Sequence, residues 1–124
     1  MNSTQILLVL GRVLLGGLFV IGGLKHFFSA RAIVLQMMTA RGVPMPRLVL
    51  DAGSTFQIAA GLLLMSGYFT APAAFGLIVF TVAASVMLLN YWDMEGPARD
   101  GCVNNWFSNI GIIGGLLIAA AQGF

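Results

Sequence analysis

The feature that most constrains this chain is the grouping of its apolar residues into four blocks, each long enough to cross a bilayer. A helical span needs roughly 20 mostly apolar residues to cover about 30 Å of hydrocarbon. Blocks at 4–28, 47–66, 72–92 and 106–122 meet that need, and with their connections they use up nearly all of the 124 residues. Charged residues make up only 8% of the chain, whereas a soluble domain carries about 25%. The sequence therefore predicts one all-α integral membrane domain over 1–124, a four-helix up-down bundle.

Between the first two spans lies a different kind of segment. From Ser29 to Arg41, Ile33, Val34, Met37 and Met38 recur at helical spacing, with Arg31, Gln36 and Arg41 at the polar positions. It is too short to span and predicts a short amphipathic helix in the headgroup region, with Ser29 as N-cap and Gly42 as its stop. Val43-Pro44-Met45-Pro46 then predicts a rigid, extended lead into the second span. Ser66 to Pro72 predicts a tight interfacial turn, with aromatics at headgroup level and Thr70 as a cap. Asp93 to Gly101, rich in charge, Gly and Pro, is expected to be a loop.

Charge excludes some functions and sets an orientation. Six cations and four anions are too few for a nucleic-acid footprint. Lys25, Arg31, Arg41, Arg47 and Arg99 all fall on the side of the two long loops, and only Arg12 lies towards the termini. The positive-inside rule puts both long loops in the cytoplasm and both termini outside, in a bacterial-type inner (plasma) membrane. Met1 to Gln5 has no basic side chain and the first apolar block is long, so a retained span is expected rather than a cleaved signal. Cys102 is the only cysteine and His26 the only histidine. The chain therefore has no Cys-x-x-Cys pair for thiol exchange and no bound metal is expected.

The polar residues beside the spans cluster at one membrane face. Lys25 and His26 close the first helix, Asp51, Ser54 and Thr55 open the second, Asn90 closes the third, and Asn109 lies one turn inside the fourth. We expect a polar vestibule on the loop side, with Lys25, His26, Asp51, Asn90 and Asn109 as ligand-binding candidates and Lys25 or His26 as partner to Asp51. The same residues would, on the plainer alternative, simply cap helix ends and meet headgroups. Deeper in the membrane, Arg12 and Gln57 are expected at depths within about 5 Å of one another, as an intramembrane polar pair, with Arg12 snorkelling outward to the interface as the equal alternative. Gly111, Gly115, Ala119 and Gly123 recur every fourth residue and predict a helix-packing stripe.

Several elements occur together in order: Arg12-x-x-x-Gly16, Phe19-x-x-Gly22-Gly23-x-Lys25-x-Phe27, Gly42-Val43-Pro44, Gly61-Leu62-x-Leu64-x-x-Gly67-x-x-Thr70-x-x-Ala73-Ala74, Asn90-Tyr91-Trp92, and Asn109 before Gly114-Gly115. In these the chain resembles the DoxX family of small four-helix membrane proteins over essentially its whole length. Gln57 stands where many members look to carry Glu, and Asn90 where many carry His, which argues against a proton-coupled role. The resemblance implies an accessory or anchoring subunit of a membrane redox complex of the thiol/sulfur or oxidative-stress kind. The partners expected are the lipid bilayer and a second protein or further copies of the chain, with no nucleic acid. The alternative is an oxidoreductase subunit that binds a quinone or another small molecule; a small transporter comes third. No residue of the sequence identifies itself as catalytic.

Overall fold

The computed structural model describes residues 2–122. It is helical throughout, with no strand among the described residues: α1 (Ser3–Phe27), α2 (Arg31–Ala40), α3 (Pro46–Ser66), α4 (Thr70–Leu88) and α5 (Gly96–Ala120), with a 3-10 turn at Tyr91–Asp93. Four of these are long and apolar enough to cross a membrane, α2 being the exception. The expected bundle with a short extra helix after the first span is what the chain forms.

Local chemistry sets the ends of the helices. At the start of α1 the Asn2 side chain accepts from the Gln5 amide at 2.8 Å, and the Gln5 side chain accepts from the Asn2 amide at 3.0 Å. Two orphan donors are thereby satisfied reciprocally. Helix α2 starts after Ala30 without a side-chain cap, so Ser29 does not serve as the N-cap expected of it. Gly42 does end α2. Its left-handed backbone (φ +75°) lets its amide reach Thr39 and the Val43 amide reach Met38, closing the last turn.

Three further boundaries differ from the sequence expectation. Met45 is left-handed (φ 47°) rather than extended, and turns the chain sharply into α3, where Pro46 takes the first helical position. Thr70 is the first residue of α4 rather than its cap, and Phe69 before it is left-handed. The stretch expected as a loop winds instead into the first turns of α5: Glu95 is extended, Gly96 turns the chain, and Pro97 opens the helix. Proline there lacks only an amide that a first turn leaves unpaired anyway. Arg99, Asp100, Asn104 and Asn105 thus ride exposed on a helix.

The four long helices form a ring in the order α1, α3, α4, α5. Packing is closest between α1 and α3, where glycine removes the side chains that would hold two backbones apart. A Cβ on Gly16 would lie 2.5 Å from the Gly61 carbonyl oxygen, and one on Gly61 would lie 2.7 Å from that of Gly16. In lipid, where apolar surface has no water to escape, such close approach is a main source of helix association. The seam between α1 and α5 is the loosest of the four. The dry core, with Leu64, Ala74, Leu77 and Leu116 fully buried, fills the half of the bundle near the termini.

Candidate functional site

The loop-side half of the bundle is not filled in this way. Two adjoining cavities of about 230 Å³ each occupy it. The first lies beneath α2 and is apolar, walled by Val34 and Met38 of α2, Leu50 of α3 and Met87 of α4, with Ser54 as a polar exception. The second lies at the centre of the bundle and takes residues from all four long helices: Gly22 and His26, Gln57, Thr81, and Asn109. His26, Phe80 and Ala84 line both, so they stand between the two spaces.

Each polar group here is placed by its helix. His26 is one residue from the end of α1, and helical side chains lean towards the N-terminus, which carries the ring back into the bundle. Gln57 is 5% exposed. Its amide fits against α1 because Gly22 has no side chain: a Cβ there would lie 2.7 Å from Gln57 Nε2. Asn109 Nδ2 donates to Ser85 Oγ at 2.8 Å, and Ser85 and Thr81 donate to the Thr81 and Leu77 carbonyls at 2.7 Å each. These hydroxyls are buried at little cost, because each finds an acceptor one turn back on its own helix.

Two groups have no such partner. Gln57 Oε1 and Ser54 Oγ are buried and make no well-formed hydrogen bond among the described residues, although the His26 ring approaches the Gln57 side chain. They lie three residues apart on one face of α3, one in each cavity. A buried polar atom left unpaired costs about 1–3 kcal/mol, so this pair marks where a ligand or a water would gain most.

The candidates expected from the sequence separate into two groups. His26 and Asn109 meet in the central cavity, and Gln57 joins them. Lys25 is exposed outside it. Asp51 pairs with Arg31, not with Lys25 or His26, and the pair sits at the surface. Asn90 donates to the Val86 carbonyl at 2.5 Å and lines neither cavity.

Arg12 and Gln57 do not form a pair. Gln57 lies at the level of Gly22, whereas Arg12 packs over Gly67 at the turn after α3, with Nη1 3.0 Å from where a Gly67 Cβ would be. Ten residues of α1, about 15 Å, separate the two levels. Their expected depths were counted from helix ends, but α1 runs on past the end of α3. The guanidinium instead lies beside Gly67 at the α3 C-terminus, the negative end of that helix.

The small-residue stripe on α5 is used only in part. Gly115 faces Leu15 of α1 at 3.7 Å and Ala119 is buried, while Gly111 has open space beside it. Gly123 lies outside the described residues.

Helix α2 roofs the apolar cavity. Met38 is 3% exposed beneath it. Arg31, its first residue, pairs with Asp51 of α3, and Arg41 at its other end pairs with Asp93 of the 3-10 turn at 2.5 Å. Hydrogen bonding to Asp51 raises the Arg31 pKa above its already high ordinary value, so the roof stays charged at that end. Beside it Tyr91, Trp92 and Trp106 form an aromatic cluster, and Trp106 Nε1 donates to the Leu89 carbonyl at 2.6 Å.

Comparison with known proteins places this architecture. No solved structure gives a match to the chain. The chain is similar to inner membrane protein YphA of Escherichia coli (strain K12), 31% identical over 121 residues that cover 98% of this chain and 86% of that protein. The family model described as DoxX matches residues 7–90, from α1 through the end of α4 and so across His26 and Gln57. With the four apolar helices, the central cavity and these matches together, the chain is a multi-pass membrane protein that belongs to the DoxX family.

Proposed function

We propose that this chain is an accessory membrane subunit of a redox assembly, and that it contributes an interior site for an amphipathic small molecule of the quinone class. The observation that carries this is the pair of adjoining cavities, both mostly apolar and the central one the more polar, each with a buried unpaired atom on α3. Small-molecule sites are typically about 300–1,000 Å³, mostly apolar, with a few convergent polar groups. Each space alone, at about 230 Å³, is smaller than that, so a ligand filling both would pass their shared wall of His26, Phe80 and Ala84. The carbonyl oxygens of a quinone suit donors such as the His26 ring and the Gln57 amide nitrogen, the hydroxyls of its reduced form suit the unpaired Gln57 Oε1, and the apolar space under α2 suits the start of an isoprenoid tail.

In this assignment His26 and Gln57 hold the polar edge of the ring, Phe80 packs on its side, and Asn109 is fixed by Ser85 so that its carbonyl remains free. The electron donor or acceptor would be supplied by a partner protein. The membrane would be the bacterial inner membrane, with the roof helix α2 and both long connections on the cytoplasmic side. The concentration of Lys25, Arg31, Arg41, Arg47 and Arg99 at that end supports the orientation.

The test is native mass spectrometry of the protein extracted in native-lipid nanodiscs, with solvent extraction of its small molecules. One bound quinone per chain, lost in Gln57→Leu, is the expected result. Protein with a co-purifying partner but no quinone would leave an anchoring role and remove the interior site.

A further inference from the structure

We propose that the groove between α1 and α5 near the termini binds one anionic phospholipid, with its phosphate on Arg12. This site is separate from the interior cavities and does not depend on their occupant. The groove is open, about 520 Å³, and walled by Leu7, Leu14, Leu15 and Leu18 of α1 and by Gly115 and Ile118 of α5. From Leu7 to Leu18 it runs about 16 Å along α1, close to the depth of one leaflet. Its outer end passes into a smaller recess where Gln5, Arg12 and Gln122 stand among Leu8 and Val9.

Charge decides what that recess would take. The acidic side chains, Asp51, Asp93, Glu95 and Asp100, all lie at or beside the loop end, away from Arg12. Arg12 Nε is buried and has no hydrogen-bond partner among the described residues. A guanidinium fork matches phosphate geometry bidentately, and Gln5 and Gln122 add neutral donors. The level is also right. Arg12 lies beside the turn carrying Tyr68 and Phe69, which are 71% and 65% exposed as side chains at headgroup depth usually are. A zwitterionic lipid would offer the same phosphate but bring a second cation to a recess that already holds one.

Delipidated protein in mild detergent, titrated with phosphatidylglycerol and phosphatidylcholine of identical acyl chains and read by native mass spectrometry, tests this. The wild type should retain one phosphatidylglycerol with a preference of about tenfold. Arg12→Gln should abolish the preference. Gly115→Leu, which fills the groove and leaves Arg12 in place, should abolish retention. Inorganic phosphate in excess should not displace the lipid, because it lacks the chain that fills the groove. Equal retention of the two lipids by the wild type would overturn the proposal. A preference that survives Gly115→Leu, the arm that decides should Arg12→Gln fail to fold, would overturn it equally.

Discussion

Gly22 and Gly16 stand six residues apart on α1, and alanine should act differently at each. At Gly22 a methyl group meets the far end of the Gln57 side chain at 2.7 Å, and that amide can swing away. Gly22→Ala should leave thermal stability in detergent within about 0.5 kcal/mol of wild type. It should nonetheless weaken ligand retention in the central cavity, because the amide it displaces belongs to the site. At Gly16 the methyl group meets the backbone of Gly61 at 2.5 Å, which cannot yield without parting two helices. Gly16→Ala should cost about 1–3 kcal/mol, the range for overpacked cores. Unfolding of the two variants side by side checks the contrast. His26 and Asn109, which line the central cavity, stand out in the sequence because a polar group inside an apolar block is conspicuous. Thr81 and Ser85 were not, since a hydroxyl that bonds to its own helix four residues back leaves no mark in the sequence.

At the scale of elements, α2 is the part of the molecule whose attachment is least hydrophobic. It is held by buried Met38 and by one ion pair at each end, Arg31 with Asp51 and Arg41 with Asp93. Both pairs are partly exposed to solvent and are therefore open to screening by salt. Amide hydrogen exchange in α2 should accelerate in the double variant Arg31→Gln, Arg41→Gln, and more modestly at high salt, while α3 and α4 remain protected. Unchanged exchange in α2 would mean that Met38 alone holds the roof. The existence of this helix and its stop at Gly42 could be read from spacing and turn chemistry. Its clamps could not, because the paired residues are 20 and 52 positions apart and only the folded bundle brings them together. The early start of α5 was hidden for a different reason: a Gly-Pro pair among charges reads equally well as a loop and as a helix opening.

Across the whole molecule the bundle divides in two. The half near the termini is packed with Leu and Ala, and the half near the loops keeps two cavities under a charged roof. That division was foreseen in outline, since polar residues crowd one end of every span. Which of them face inward depends on helix register, and register is set by contacts such as Gly16 with Gly61 that no single segment reveals. The proposed orientation in the membrane rests on the charge difference between the same two ends. In a Cys102→Ser background, a cysteine at Ser29 should react with an impermeant maleimide in inverted vesicles and not in spheroplasts; the opposite pattern would reverse the topology. The most direct test of the interior site is equilibrium binding of a labelled short-chain benzoquinone to the protein in nanodiscs, wild type against Gln57→Leu. Saturable binding of one molecule per chain, weakened about tenfold by the substitution, is the predicted result. Partitioning that never saturates and is identical in both proteins would contradict it.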